Sequence, residues 1–138
     1  MQQKQFFFAL VAMLSFVFSG FAQTTVSSED ELRAALTSST GGEITLAEDV
    51  TLKENIETGN GNYTLNLNNH QIKGDFSGYV LKVGGTLTIK GDGEITGKTT
   101  ILYCKSGGTI NIEGGAIHNN SNNNVIFTVG TLNVYGGS

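Results

Sequence analysis

The chain is predicted to be all-β: a right-handed parallel β-helix solenoid of about 22 residues per coil with a short N-terminal capping α-helix. Three observations point there. A four-residue motif recurs five times, glycine occurs 19 times while proline is absent, and one helix-start signal precedes the first repeat. The motif reads Glu43-Ile44-Thr45-Leu46, Thr64-Leu65-Asn66-Leu67, Thr86-Leu87-Thr88-Ile89, Thr109-Ile110-Asn111-Ile112 and Thr131-Leu132-Asn133-Val134. Its first apolar members lie 21, 22, 23 and 22 residues apart, a spacing that chance would not hold five times.

Ahead of the repeats, the segment Met1 to Ala22 reads as a secretory signal peptide. Lys4 precedes the apolar run Phe6 to Phe18, and small residues, Gly20 and Ala22, stand at −3 and −1 to a cleavage expected before Gln23. The run is too short to span a bilayer. The expected division is therefore 1–22 signal peptide, 23–41 an N-terminal segment with the capping helix, and 42–138 the coils. Within 23–41, Ser28-Glu29-Asp30-Glu31 reads as a capping box, acidic residues suit the positive end of the helix dipole, and Leu32, Ala35 and Leu36 form one apolar face. Removing Lys4 leaves seven basic residues against twelve acidic ones, which argues against nucleic acid or an anionic membrane surface as partner. A lone cysteine, Cys104, leaves no internal disulfide framework, and Gln23 stands where a lipoprotein would carry its cysteine.

Each coil continues from the motif to a second strand, at Val50-Thr51-Leu52, Gln71-Ile72, Glu94-Ile95 and Ala116-Ile117. A third apolar group follows, in Tyr79 to Val83, Ile101 to Cys104 and Val125 to Val129. Stacked coils pair each strand in parallel with its copy about 4.8 Å away, with alternate side chains inward. The expected inward columns are Ile44, Leu65, Leu87, Ile110, Leu132 and Leu46, Leu67, Ile89, Ile112, Val134. Outside, Thr64, Thr86, Thr109 and Thr131 should align, as should Thr45, Asn66, Thr88, Asn111 and Asn133.

The opening helix Glu29 to Leu36, the glycine-led strand Gly42-Glu43-Ile44-Thr45-Leu46 and the coil Leu65-Asn66-Leu67-Asn68-Asn69-His70-Gln71-Ile72-Lys73-Gly74 carry a family resemblance. The sequence resembles the right-handed parallel β-helix proteins with a pectate-lyase-like fold, in particular the repeat-containing secreted bacterial members. That resemblance covers Val26 to Gly136 and implies a fold and an export route, with hardly any chemistry. A leucine-rich repeat is the rival solenoid, because Leu65-x-Leu67-x-x-His70-x-Ile72 mimics the strand half of that repeat. Its signature asparagine is replaced by His70, Asp92 and Gly115, which decides against it.

Polysaccharide-cleaving members of such a fold need clustered aspartates and a basic residue near the scissile sugar. Asp49, Asp75 and Asp92 fall in different corners, and the only arginine, Arg33, lies in the helix on what reads as a solvated face. His70 reads as a turn residue bonding local backbone, His118 as an outward one, and Cys104 as a buried small hydrophobe. No catalytic residue, metal ligand or cofactor is expected. The candidate ligand contacts are Asn119, Asn120, Asn122 and Asn123, in the one long polar insertion; of the tyrosines near strand ends, Tyr63, Tyr79, Tyr103 and Tyr135, the better sugar-stacking platforms are Tyr63 and Tyr135.

The expected protein is a non-catalytic secreted, periplasmic or cell-surface β-helix, adhesin-like or glycan-contacting. Its expected partner is a polysaccharide or cell-envelope glycan, with no membrane insertion after signal cleavage. The alternative is the N-terminal part of a polysaccharide lyase or glycoside hydrolase whose active site lies beyond residue 138. Because Tyr135-Gly136-Gly137-Ser138 follows directly on the first strand of a fifth coil, further coils or modules are expected C-terminal to it.

Overall fold

A computed structural model describes residues 22–138, so the expected signal peptide lies outside the described residues except for Ala22. The elements are β1 Gln23–Val26, α1 Glu29–Thr37, β2 Gly41–Leu46, β3 Val50–Leu52, β4 Ile56–Glu57, β5 Asn62–Asn66, β6 His70–Gly74, β7 Leu81–Val83, β8 Thr86–Lys90, β9 Gly93–Gly97, β10 Leu102–Cys104, β11 Thr109–Ile112, β12 Ala116–Asn119, β13 Ile126–Thr128 and β14 Thr131–Val134. They form a parallel β-solenoid. A first sheet runs β1-β2-β5-β8-β11-β14, a second β3-β6-β9-β12 and a third β4-β7-β10-β13. From β2 onward every strand pairs with the equivalent strand of a neighbouring coil and not with the next strand in sequence, as period-two segments separated by tight corners require.

The core is the column of space inside the coils. Alternation gives β2 the pattern Gly42, Ile44, Leu46 inward, and the inward residues Leu52, Ile56, Leu65, Ile72, Leu81, Leu87, Ile95, Leu102 and Ile110 are all buried. Cys104 is fully buried among them, as its strand position suggested.

The expected columns, inward and outward, are corrected at the step from β5 to β8. Ile44 pairs with Leu65, but Leu65 pairs with Ile89 rather than Leu87, and Thr64 pairs with Thr88 rather than Thr86. The columns therefore run Gly42–Tyr63–Leu87–Ile110–Leu132 and Ile44–Leu65–Ile89–Ile112–Val134. A two-residue slip preserves parity, so every aliphatic side chain still points inward. Tyr63 drives the slip: its ring fills the inward position between Gly42 and Leu87, and its hydroxyl donates to the Ser38 carbonyl while accepting from the Gly61 N–H at 3.2 Å. Leu67 is consequently left past the end of β5, buried in the corner. Gly93 makes room for it: a Cβ there would lie 2.8 Å from the Leu67 Cβ, and its φ of +138° suits glycine alone.

The N-terminal end is closed by α1, whose Leu32 and Leu36 are fully buried against the first coil. Ser28 caps it through the Glu31 N–H at 3.2 Å, and the Glu31 carboxylate accepts from the Ser27 N–H at 2.9 Å, one residue earlier than the box strictly requires. Arg33 does not decorate a solvated face. Its guanidinium donates to the Asn55 carbonyl at 2.6 Å, the Glu54 carbonyl at 3.2 Å and Glu29 at 2.9 Å, tying the helix to the turn between β3 and β4. Strand β1, ahead of the helix, extends the first sheet by one strand that the sequence pattern did not announce. Val134, an expected inward residue, is 63% exposed because among the described residues β14 pairs on one side only, with β11.

Candidate binding faces of the solenoid

A solenoid offers its outward residues as rows running along the axis, and the three sheets differ in what those rows hold. On the first sheet they are hydroxyls and amides. Asn111 Nδ2 donates to Thr88 Oγ1 at 3.3 Å and Asn133 Nδ2 to Asn111 Oδ1 at 2.9 Å, while Lys90 and Glu43 pair at 3.4 Å. These groups largely satisfy one another.

On the second sheet, coil stacking brings carboxylates to both histidines. His70 Nδ1 lies 3.3 Å from Asp49 Oδ1, the same oxygen that accepts the Gln71 N–H at 3.0 Å, and His118 Nε2 lies 2.9 Å from Glu94 Oε2. His70 bonds local backbone through its N–H, which donates to the Leu67 carbonyl at 2.9 Å, while its ring meets a side chain one coil away. Asp49, His70 and Glu94 border an open depression of about 360 Å³. Among the described residues no three His, Cys, Asp or Glu side chains are arranged to hold a metal ion.

The third sheet and the corner leading into it carry a row of aromatic groups, with Tyr79 and Phe127 exposed and Tyr103 half-buried. Tyr79, Tyr103 and Phe127 follow one another, with ring centroids 4.7 Å apart and tilted by 33° for the first pair, and 5.4 Å apart and nearly parallel at 9° for the second. Tyr103 and Phe127 are register partners on β10 and β13, so coil stacking itself builds the ladder. Lys82 of β7 stands 5.6 Å from the Tyr103 centroid, and Lys105 pairs with Glu57 at 2.8 Å. That hydrogen bond and the charges of Lys105 and Lys82 hold the Glu57 carboxyl below the usual carboxylate range. Beside the ladder, Tyr79 borders a groove of about 440 Å³ shared with Asn55, Phe76 and Ser77.

The sequence-predicted contacts separate in space. Asn119, Asn120, Asn122 and Asn123 lie at the corner between β12 and β13, directly before the ladder's Phe127. Asn119 is spent on structure: its amide donates to the Thr99 carbonyl at 2.8 Å and the Asn123 carbonyl at 3.0 Å, closing the loop over the corner below. Asn120 and Asn122 remain open to solvent as part of this loop. Tyr63 is corrected: it is fully buried, its hydroxyl held by Ser38 and Gly61, and it presents no face to a sugar. Tyr135 is 72% exposed, but it follows β14 of the first sheet and does not join the ladder.

The sequence places Tyr79 and Tyr103 near strand ends but does not join them to Phe127 in a ladder. Tyr103 and Phe127 meet because β10 and β13 are offset by 24 residues rather than the 22 of the motif. Tyr79 reaches Tyr103 from the corner, since the β7 residue in register with Tyr103 is Lys82. No family model, no curated protein and no solved structure matches the chain.

Proposed function

We propose that the chain is a non-catalytic, secreted or cell-surface β-solenoid that contacts an extended glycan along the corner between its second and third sheets. The observation that carries this is the Tyr79–Tyr103–Phe127 ladder, exposed at Tyr79 and Phe127, the latter on a strand that follows directly from the amide-rich 119–124 loop. A polysaccharide presents apolar C–H surfaces edged by hydroxyls, and it is held by aromatic groups flanked by a few oriented polar ones. The ladder supplies ring edges and phenolic hydroxyls along an axis, Lys82 adds a donor, and the loop amides offer both donors and acceptors. A rigid solenoid pre-organises these groups, which lowers the ordering cost of binding. The pectate-lyase-like β-helix resemblance and the signal-peptide pattern support the same reading: exported proteins of this architecture meet glycans outside the cell.

The chain contains no tryptophan, so its emission comes from four tyrosines, two of which, Tyr79 and Tyr103, belong to the ladder. Titrating soluble oligosaccharides of cell-envelope and plant type should change that emission saturably. Tyr103→Ala and Phe127→Ala should each weaken binding about tenfold, the loss expected for truncating a central aromatic contact. Tyr135→Ala, away from the ladder, should bind as the parent does. Equal losses for Tyr135→Ala and Tyr103→Ala would move the site to another face.

A further inference from the structure

We propose that Gln23 is a modification site: once residues 1–22 are removed, its α-amine and side-chain amide close into a pyroglutamyl ring at the free edge of the first sheet. This rests on the export reading above, and adds a covalent step to it.

Gln23 is the first residue of β1 and is exposed. It sits opposite Glu43, and the Glu43 N–H donates to the Ala22 carbonyl at 2.7 Å. In a parallel ladder a residue whose predecessor's carbonyl accepts from the partner residue turns its own N–H away from the partner strand. The Gln23 nitrogen therefore faces the outer edge, where β1 is the last strand of its sheet among the described residues. Val26 is buried, so alternation places the Gln23 side chain in the outward row with Glu43 and Thr64. The two groups that must react are thus adjacent, in water, and outside the ladder.

The unprotonated amine attacks the side-chain Cδ, the N–Cδ bond forms, the Cδ–Nε2 bond breaks, and ammonia leaves with the proton released by the amine. No oxidant or co-reactant is needed, and the attack is intramolecular through a five-membered ring. The product is a neutral lactam. It removes the terminal positive charge and denies aminopeptidases a free end at the strand most open to fraying, while the ladder bonds of Thr24 to Val26 are untouched.

The test has two arms. Protein recovered outside the producing cell is examined by intact mass and stepwise N-terminal degradation, and a second sample is released from a fusion so that it begins at Gln23. The expected results are a mass one ammonia below that of residues 23–138, blocked degradation, and a sequence starting at Thr24 after treatment with pyroglutamyl aminopeptidase. Gln23→Ala should keep the full mass and an open end with unchanged far-ultraviolet circular dichroism. A free Gln23 that persists in both samples overturns the proposal. If the fusion-released sample cyclises while the cell-derived chain starts elsewhere, the chemistry stands and the export reading fails, and with it the modification of the natural protein.

Discussion

Placing aspartate at Leu87 puts an unpaired carboxylate in the buried column between Tyr63 and Ile110, whereas aspartate at Thr88 joins the outward row. Burying the charge should cost several kcal/mol, and the surface change about 0.5 kcal/mol or somewhat more, since Thr88 also accepts the Asn111 amide. Thermal unfolding of Leu87→Asp and Thr88→Asp should therefore differ widely; equal shifts would mean that the two faces are reversed. Faces were legible at this scale because alternation depends only on parity. Register was not: Tyr63 and Leu65 are both inward by parity, and choosing which of them meets Leu87 needs the volume of a tyrosine ring set against Gly42 and the polar anchor at Ser38. Those are contacts across coils, and a linear pattern does not contain them. The same limit hid the His70–Asp49 and His118–Glu94 pairs, each formed from residues of successive coils.

At the scale of the element, α1 is held by chemistry that its own sequence announces only in part. Ser28 and the apolar face were readable, but the Glu29–Arg33 pair gains its weight from the turn after β3, where the Lys53 N–H donates to Glu29 at 3.0 Å. That backbone bond, followed by Arg33, holds the Glu29 carboxyl below its usual range despite the opposing effect of burial. A carboxyl whose pKa is lowered by folding stabilises the fold above its unfolded pKa and loses that contribution as pH falls through the lowered value. Glu29→Gln should accordingly melt a few degrees below the parent at neutral pH, and the gap should close as the buffer is taken down through about pH 4. A gap that stays constant to acid would show that the ionised carboxylate is not what anchors the helix. Strands β1 and β4 lay below the threshold of any pattern, being a short polar stretch and two residues, and they exist because the neighbouring coil offers a paired edge.

The whole molecule was the most legible level, since a motif that recurs five times about 22 residues apart leaves a stacked solenoid as the arrangement that turns its aliphatic columns inward. The candidate site was far less so. Half of it, the 119–124 loop, stood out by composition; the other half, the aromatic ladder, comes into being only when coil stacking sets Phe127 against Tyr103 and the corner before β7 brings Tyr79 to the other side of Tyr103. The central claim is that this solenoid binds a glycan without cutting it. The most direct measurement follows the polymer and the protein together: residues 23–138 are incubated with candidate polysaccharides, with and without calcium, and analysed by size-exclusion chromatography with light scattering. The expected result is co-elution of protein with at least one polysaccharide, lost in Tyr103→Ala, with polymer chain length unchanged throughout. Shortened chains released by the parent protein, or co-elution that survives loss of both Tyr103 and Phe127, would contradict it.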